Sequence, residues 1–478
     1  MTGTRCLGAW VNKVLAVIVW LRRDLRLADH AALTAACKSG GPVIPVYILD
    51  SYVEDMGAAP RFRLEQALAE FARTLDGVGS RLILRRGEAL DVLRALVKET
   101  GACRVFWSRD LSSTSIDRDR AVKLALRQSG VEARSFVGNL LFEPWDVQTG
   151  SGGAYKVFTP FWRAVRGRDV QPPRLPPAVL PTPVRWPRSD RLEDWNLSAD
   201  MQRGRAVVGA QMQVGEASAQ ARLQAFLQND MAVYNDRRDE LAGWGGSDLS
   251  QYLAWGEISP ATIWHAVQPA LHEGTRGAEA FLRQLAWRDF AWHLMFHSPS
   301  INRENWRDGW QDFPWNTDAE RPEVIAWKRG QTGIDLVDAA MREMYVTGRM
   351  HNRARMIAAS YLTKHLLTDW RIGMRWFEDC LIDWDPAANA MGWQWVAGCG
   401  PDAAPYFRVF NPDTQAEKFD ASGAYRQKWL APDSGFYQAV PRSWNLSPDA
   451  PRPAPVVTLP DGRARALAAY DSFRGKNG

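Results

Sequence analysis

The sequence predicts an N-terminal α/β domain with a doubly wound parallel sheet and an all-α C-terminal domain, joined by a long connector. A chain of 478 residues is long enough for two or three domains. Short strands rich in Val, Ile and Leu alternate with helical segments between residues 13 and 140. Prolines cluster between Gln171 and Pro187, and after about residue 216 apolar residues recur at helical spacing. We therefore assign residues 13–140 to the α/β domain, 141–215 to the connector and 216–478 to the helical domain.

Short apolar segments are the predicted strands of the N-terminal sheet. Helical stretches such as Arg61–Leu75 and Ala89–Lys98 separate them. Short apolar strands that alternate with helices are typical of a parallel sheet covered on both faces. No GxGxxG sequence follows the first strand, so a common dinucleotide-binding fingerprint is not predicted there. The predicted strands are Val14–Trp20, Val43–Leu49, Arg81–Leu84, Arg104–Trp107 and Glu132–Phe136.

The connector and the helical domain differ sharply in composition. A dense run of prolines is incompatible with a helix or a central strand, so it predicts an extended segment. The prolines are Pro172, Pro173, Pro176, Pro177, Pro181, Pro183 and Pro187. The main predicted helices beyond it are Ala217–Asn229, Ala278–His297, Ile334–Tyr345 and Asn352–Thr368.

Composition narrows the class of protein. With 46% hydrophobic and 24% charged residues, the chain has a normal globular balance. The formal net charge of +5 is compatible with a polyanionic partner. The 5 Cys residues are scattered without CxxC spacing, which indicates a reducing compartment and excludes a four-Cys iron–sulfur cluster in the second half. No apolar stretch approaches the length of a membrane span. We expect a cytoplasmic monomer without a metal site.

The densest group of motifs lies between Gln331 and Phe419. On a helix that starts near His351, the side chains of Asn352, Arg355 and Met356 share one face. Basic residues outnumber acids around this helix, and a solvated helix face would explain that charge equally well. The neighbouring Trp and Met residues favour a basic, aromatic-lined groove for a nucleic-acid base that has left the stack. The motifs are GRMHNRARM (Gly348–Met356), DWDPAANAMGWQW (Asp383–Trp395) and DAAPYFRVFNP (Asp402–Pro412).

These motifs resemble the signature stretches of the photolyase and cryptochrome family, most closely the class I cyclobutane pyrimidine dimer photolyases. Further stretches match in the same order: VWLRRDLRLADHAAL (Val19–Leu33), YKVFTPF (Tyr155–Phe161), AWRDF (Ala286–Phe290) and ARALAAYDSF (Ala464–Phe473). The resemblance implies an enzyme that binds FAD in its helical domain and damaged DNA with a flipped pyrimidine dimer. In that reaction reduced FAD absorbs light and passes an electron to the dimer, the ring splits and the electron returns.

The resemblance also implies which residues hold FAD. The phosphates would lie at a predicted turn and helix start, and two arginines would supply positive charge near the flavin. Two aspartates would flank the isoalloxazine and ribose, with Asp383 paired to Arg355, and Asn389 would face the flavin N5. Without the resemblance, the turn and the aspartates would be interpreted as capping residues. The full set is Tyr234, Gly246, Ser247, Asp248, Leu249, Ser250, Arg288, Arg355, Asp383, Asp385 and Asn389.

A chain of tryptophans is the second implied feature. Trp393, Trp370 and Trp327 match the electron-transfer positions of the family. Such a chain needs oxidisable rings close enough for electron hopping from the surface to the flavin. Core packing is the alternative for any one of these residues.

The third implied feature is a lesion-binding surface. Trp287 and Trp395 would form an apolar wedge around the flipped pyrimidine pair, with Met356 packed against the pair and Asn352 hydrogen-bonded to it. Phosphate contacts would make binding salt-dependent. The residues implied for the DNA backbone are Arg238, Arg353, Arg408 and Gln415.

The sequence departs from the family at informative positions. Gln284 stands where class I members have Glu, and its amide can both donate to a pyrimidine carbonyl and accept from a ring N–H. Gln is also typical of (6-4) photolyases, but those have His where this chain has Asn352 and Met356. Ser108 differs from the usual antenna pocket, so a folate, a deazaflavin or no antenna is open. The alternative to repair is a cryptochrome-like photoreceptor, which the retained Trp287 and Trp395 disfavour.

Overall fold

A parallel sheet with strand order β3-β2-β1-β4-β5 forms the core of the N-terminal domain. The computed structural model describes residues 15–201, 204–243, 245–402 and 407–477. Val17 pairs with Val43 on one side and with Arg104 on the other, so the first strand lies in the middle of the sheet. The strands are β1 Val17–Leu21, β2 Val43–Leu49, β3 Ile83–Arg86, β4 Arg104–Ser108 and β5 Glu132–Phe136.

The helices of this domain are the crossovers that parallel strands require. The helix that follows β1 begins after His30, whose ring nitrogen accepts the Leu33 N–H at 3.2 Å. The helix before β4 ends at Thr100 and is capped by Gly101, which has a φ of 65° and so adopts the left-handed conformation that favours Gly. The helices are α1 Ala31–Lys38, α2 Ser51–Glu54, α3 Ala58–Gly77, α4 Ala89–Thr100 and α5 Ser113–Gln128. The predicted doubly wound α/β fold is confirmed.

The connector is extended only in part. The structure describes no regular element between the Pro-rich residues 171 and 187, as predicted. However, the YKVFTPF stretch is half helical, because the side chains of Phe158, Phe161 and Trp162 bury one face of a short amphipathic helix. The helices in the connector are α6 Phe158–Val165 and α7 Arg205–Ala210. The domain bounds themselves stay a prediction.

The C-terminal domain consists of helices, as predicted. The predicted helix Ala278–His297 has those bounds, but the one predicted over Asn352–Thr368 ends at Ser360 and continues as a π-helical turn over Tyr361–His365. The helices are α8 Glu216–Asn229, α9 Tyr234–Arg237, α10 Ser250–Trp255, α11 Pro260–His272, α12 Ala278–His297, α13 Pro322–Lys328, α14 Asp335–Thr347, α15 Asn352–Ser360, α16 Trp370–Cys380, α17 Pro386–Ala397, α18 Pro412–Phe419, α19 Ala424–Leu430, α20 Phe436–Ala439 and α21 Leu459–Asn477. Among the described helices, none combines the length and apolarity needed to cross a membrane.

Buried charges join the two domains. Arg63 of α3 donates to the carboxylate of Glu257, which follows α10, and both side chains are fully buried. The same carboxylate accepts the Gly215 N–H at 2.7 Å. Removing one partner of such a buried ion pair is strongly destabilising, because it leaves the other charge buried without compensation. The α/β domain is therefore docked firmly against the helices that carry the candidate site.

Candidate active site

A cavity of about 320 Å³ lies within the helical domain, walled by α10, α12, α15, α16 and α17. Its volume falls in the range of small-molecule sites, which usually combine an apolar lining with a few polar groups. The face of α15 predicted from spacing does line this cavity. The predicted site residues in its wall are Ser247, Leu249, Ser250, Gln284, Arg288, Asn352, Arg355, Met356, Asp383, Asp385, Asn389 and Trp393.

Arg355 and Asp383 form an ion pair in the cavity wall. The Nη2 of Arg355 lies 2.8 and 3.0 Å from the two carboxylate oxygens of Asp383. Ser250 donates its hydroxyl to the same carboxylate at 2.7 Å. The Nε of Arg355 donates to the Met350 carbonyl at 2.8 Å, which fixes the plane of the guanidinium. The pair thus holds a positive group and a charged acceptor in a defined orientation beside the cavity.

Asp385 caps the helix that forms one wall. Its Oδ1 accepts the N–H groups of Ala387 and Ala388 at 3.0 and 2.9 Å at the start of α17. Its Oδ2 accepts the indole N–H of Trp292 at 3.0 Å and lies 3.8 Å from the Nε of Arg288. Asp385 therefore acts as the N-cap of α17, a role that Asp commonly has in proteins. The same contacts hold its carboxylate at the cavity edge.

Arg288 lies between two carboxylates, one of which the sequence analysis did not single out. Its guanidinium is 4.0 Å from Asp289, and Asp289 accepts the N–H groups of Leu141 and Phe142 at 2.8 and 3.1 Å. Burial raises the pKa of Asp289 to about 7, against the lowering effect of Arg288 and the two N–H groups. Asp289 thus attaches α12 to the connector directly behind the cavity. The sequence offered one signal for Asp289, which is that it directly follows Arg288 in the AWRDF stretch.

Asn389 has a fixed amide. One N–H of its Nδ2 donates to the Met374 carbonyl at 3.0 Å, across from α17 to α16. The carboxamide oxygen and the second N–H are the polar groups that Asn389 can offer to a bound molecule. Because Met374 holds the amide, a ligand meets a preset orientation.

The predicted phosphate-binding run is only partly in the wall. Asp248 has a φ of 58° and forms an ion pair with Arg349, and burial raises its pKa. Tyr234 packs edge-on against Phe226 and Phe281, each with 5.5 Å between ring centroids. Among the described residues, the lining does not include Tyr234, Gly246 or Asp248. Their roles in cofactor binding stay predictions.

All three tryptophans of the predicted electron-transfer chain are buried. Trp393 lines the cavity, and its ring centroid is 6.1 Å from that of Trp327 and 4.8 Å from that of Phe377. Trp327 is 0% exposed, and its indole donates to the Ala358 carbonyl at 3.0 Å. Because Trp327 is fully buried, it cannot be the water-contacting end of such a chain. Trp370 is equally buried, with its indole donating to Asn305 at 2.8 Å.

The residues predicted for the lesion lie in or beside the cavity. Gln284, Asn352 and Met356 line it, and the amide of Asn352 contacts the Met356 sulfur at 3.8 Å. Trp287 and Trp395 are partly buried and lie outside the lining as far as the described residues show. Whether they grip a base stays a prediction.

The residues predicted for phosphates are scattered over the helical surface. Arg353 is 2.8 Å from Asp239, and its guanidinium lies 4.4 Å from the centre of the Phe419 ring. Arg353 therefore already has a carboxylate partner on this surface. Arg408 is exposed near Phe410, Gln415 is half-buried on α18, and Arg238 directly follows α9.

Small and apolar residues complete the wall, and the sequence analysis missed them. Ala388, Gly392 and Val396 recur every four residues on α17, next to Asn389 and Trp393. This spacing places them on one helix face. In a sequence, apolar residues at helical spacing look the same whether they line a cavity or fill a core. Only the small side chains of Ala388 and Gly392 indicated that space could be left beside α17. The remaining apolar lining residues are Leu253, Ala254, Ile263, Phe281, Leu285, Ala359, Phe377, Leu381 and Trp384.

The crevice at the carboxyl ends of β1 and β4 is where a doubly wound sheet usually binds a ligand. Here the side chains of Arg22, Arg23, Asp110 and Arg118 fill it. The spaces left between the described residues measure about 20 Å³ each, close to the volume of one water. The antenna identity stays a prediction. The described residues contain no group of three or more His, Cys, Asp or Glu that could hold a metal ion.

Comparison with known proteins identifies the family. Residues 17–180 match the DNA photolyase family model, and residues 281–472 match the FAD binding domain of DNA photolyase. The deoxyribodipyrimidine photo-lyase of Agrobacterium fabrum is 43% identical over 97% of this chain and 99% of its own. A bacterial class III photolyase from Agrobacterium tumefaciens has a TM-score of 0.90 and 41% identity, covering 98% of this chain and 100% of its own. A cryptochrome from Synechocystis sp. PCC6803 has a TM-score of 0.83 and 28% identity, covering 96% and 100%.

The two family models match residues in both the α/β domain and the helical domain. The class within the family stays a prediction, since the sequence resembled class I and the structure from Agrobacterium tumefaciens is a class III photolyase. Most of the residues that line the cavity lie within the range matched by the FAD-binding model, and those on α10 and α11 and just before α10 precede it. The chain belongs to the DNA photolyase family.

Proposed function

We propose that this protein is a deoxyribodipyrimidine photo-lyase that uses light to split cyclobutane pyrimidine dimers in DNA. One observation carries the proposal: a single cavity is lined both by residues predicted to hold FAD and by residues predicted to contact the lesion. Electron transfer between two molecules requires that they lie close together. A shared cavity provides that proximity without any motion of the protein between binding and chemistry.

The donor set of the cavity fits FAD. Arg288, Arg355 and Ser250 supply positive charge and hydrogen-bond donors for anionic or carbonyl oxygens, and Asp383 supplies an acceptor for a ring N–H. Phe377, Leu285 and Val396 supply apolar contacts for a flat ring system. When bound and reduced, FAD supplies a light-absorbing one-electron donor. The chain's own residues bind it, orient it and keep water away.

The lesion end of the cavity selects a flipped pyrimidine pair. The Gln284 amide donates to a pyrimidine carbonyl and accepts from a ring N–H, and Asn352 can do the same from α15. Met356 offers a flexible apolar surface to the cyclobutane ring. Flipping costs a few kcal/mol and is cheapest where bases are already poorly stacked, which favours damaged sites.

The surface around the cavity would hold the DNA backbone. Arg238, Arg408 and Gln415 would contact phosphates, and Arg353 would do so after leaving Asp239. Neutralised phosphates release counterions, so binding should weaken steeply as salt rises. The protein would act on DNA in the cytoplasm as a monomer.

The direct test is photorepair of an oligonucleotide that carries one thymine dimer. The purified, reduced protein should restore the absorbance at 260 nm in light and not in the dark. An oligonucleotide without the dimer is the control. Tight binding of FAD with no repair in light would contradict the proposal and favour a photoreceptor, for which the similarity to a cryptochrome provides the argument.

A second candidate concerns the kind of lesion. Gln284 lines the cavity where class I relatives are expected to have Glu, and Gln is typical of (6-4) photolyases. The same assay with a (6-4) photoproduct and the Gln284→Glu variant separates the two. Dimer repair by both proteins, with no (6-4) repair by either, supports the first candidate. Repair of the (6-4) product by the unaltered protein supports the second.

A further inference from the structure

We infer that Phe158 and Asp402 are positioning residues that hold Trp287 and Trp395 in one fixed arrangement for lesion binding. The inference rests on the proposed function, since Trp287 and Trp395 are the residues expected to grip the flipped pair. Phe158 comes from the connector and Asp402 from the loop that follows α17. Neither residue lines the cavity as described, so their effect on the lesion would act through the two tryptophans.

Phe158 covers one face of the Trp287 ring. The two ring centroids lie 3.7 Å apart with an angle of 12° between the ring planes, a close parallel stack. Phe158 is fully buried, and its own ring meets Phe290 edge-on at 5.8 Å. Because α6 and α12 are packed together here, the indole of Trp287 cannot turn without losing the stack. One face of the ring is thus fixed by the protein, and the other parts of it are available for a base.

Asp402 contacts the other tryptophan through its backbone. The Asp402 carbonyl accepts the indole N–H of Trp395 at 2.9 Å. Asp402 has a φ of 53°, in the left-handed region that Asp tolerates better than most residues. The loop before it folds tightly back onto the end of α17, since a Cβ on Gly400 would come within 2.7 Å of the Gln394 backbone. The loop geometry therefore fixes where the Trp395 indole points.

Asp402 also joins the two sides. Burial raises the pKa of the Asp402 carboxyl, against the lowering effect of the nearby backbone N–H of Phe158. Phe158 is the first residue of α6, and Val157 before it has no side-chain acceptor for the free N–H groups of the first turn. A carboxylate at a helix N-terminus satisfies those groups and complements the helix dipole. Asp402 thus lies beside the start of the helix that carries Phe158, while its carbonyl holds Trp395.

The four residues form a continuous series from Trp287 through Phe158 and Asp402 to Trp395. A recognition surface that is already ordered before binding loses less conformational freedom when the ligand arrives. Disrupting the series should therefore weaken binding of damaged DNA more than binding of undamaged DNA, which depends mainly on phosphate contacts. It should leave the rate of repair at saturating substrate nearly unchanged, because the cavity wall is intact.

The test measures the dark affinity for duplexes with and without one thymine dimer, together with KM and kcat in light. Phe158→Leu should lower the ratio of damaged to undamaged affinity by roughly 3- to 10-fold, the range expected for one aromatic pair. KM should rise by a similar factor, with kcat and FAD content within about twofold of the unaltered protein. Phe158→Tyr keeps the ring and should restore the ratio.

Phe161→Leu is the matched control. Phe161 is buried on the same helix and contacts Phe290 and His293, so this change removes a ring of the same size away from Trp287. It should leave the affinity ratio unchanged. If Phe158→Leu does not fold, Asp402→Ala, which removes the carboxylate and disfavours the left-handed backbone at this position, should lower the ratio in the same direction.

Two outcomes would overturn the inference. One is an unchanged affinity ratio in both Phe158→Leu and Asp402→Ala. The other is an equal loss of affinity for damaged and undamaged DNA, which would indicate general distortion of the surface. Failure of the proposed function looks different, because then the unaltered protein itself would neither discriminate the dimer nor repair it.

Discussion

The guanidinium of Arg355 and the carboxylate of Asp383 meet beside the cavity, with one nitrogen 2.8 and 3.0 Å from the two oxygens. Asp383 is well buried, and Ser250 donates a third hydrogen bond to it. Arg355 comes from α15 and Asp383 from the segment just before α17, so the pair links two walls of the cavity. Its integrity should decide how firmly the cavity holds a flavin.

Asp383→Asn should weaken FAD binding. The substitution keeps the shape of the side chain but replaces a charged acceptor by a neutral amide, which cannot match both Arg355 and Ser250. Hydrogen bonds to a charged group contribute about 1.5–3 kcal/mol each, so the FAD affinity should fall by roughly 10- to 100-fold. The measurement is FAD affinity by fluorescence titration of the apoprotein.

Asp369→Asn is the control for this change. Asp369 is also a buried aspartate paired with an arginine, Arg371, and it caps α16 outside the cavity wall. That variant should keep its affinity for FAD. Unaltered FAD binding by Asp383→Asn would show that the pair serves folding alone.

Gly373→Ala should disturb Trp393. A Cβ at Gly373, on α16, would overlap the six-membered ring of Trp393 and come 2.6 Å from Cδ2 of Leu362. Overpacking a well-filled core typically costs about 1–3 kcal/mol. We expect a lower free energy of unfolding in urea and an altered Trp fluorescence spectrum.

Gly77→Ala serves as the comparison. Nothing lies within 4 Å of a Cβ added to Gly77, the last residue of α3. Its stability should change by less than about 1 kcal/mol, and in the favourable direction. Equal stability of the two variants would mean that α16 and Trp393 can move apart at little cost.

Trp393→Phe should separate photoreduction from repair. Trp393 is a buried tryptophan that lines the cavity, and the Phe that replaces it is much harder to oxidise than Trp. Light-driven reduction of the oxidised protein should therefore slow strongly, while chemically reduced protein should still repair dimers at nearly the normal rate. Trp107→Phe, in the N-terminal sheet, should change neither. Equal loss of both activities in Trp393→Phe would show that Trp393 has a different role.

The next step of the electron path depends on which ring neighbours Trp393. The ring of Trp327 lies 6.1 Å away, so Trp327→Phe should slow photoreduction if the path runs through it. Trp370→Phe tests the order expected from sequence. Transient absorption of the oxidised protein distinguishes the two, since only the variant on the path should shorten the lifetime of charge separation.

Asp289→Asn should flatten the pH dependence of stability. Burial raises the pKa of Asp289 to about 7, whereas an unfolded Asp ionises near 4. Between these values the folded protein retains a proton that the unfolded chain releases, so stability falls as pH rises from about 4 to about 7. One group contributes at most about 1.4 kcal/mol per pH unit to this slope.

The measurement is the free energy of unfolding at several pH values for both proteins. Glu343 and Glu378 also have a pKa raised to about 7, so part of the slope should persist in Asp289→Asn. Asp117→Asn, at an exposed position on α5, should reproduce the slope of the unaltered protein. Identical slopes in Asp289→Asn and the unaltered protein would mean that Asp289 is ionised in the folded state.

Local signals predicted much of the fold. The strands Val43–Leu49 and Glu132–Phe136 and the helix Ala278–His297 have the predicted bounds. Val43–Leu49 is a continuous apolar run, and Ala278–His297 carries apolar residues at helical spacing. The prediction for Asn352–Thr368 failed at its C-terminal end, because the chain widens into a π-helical turn at Tyr361. Periodicity continues through such a turn and does not reveal it.

The sequence by itself determined which residues share a face, and so it placed Asn352, Arg355 and Met356 together on α15. Only the tertiary structure decided what meets that face. Ser250 donates a hydrogen bond to Asp383, which lies 133 positions away in the chain. Asp239 forms an ion pair with Arg353. Trp327 is buried in the core. The physical reason is that hydrophobic spacing encodes the side of an element that is buried, whereas the partner on that side depends on how distant elements pack.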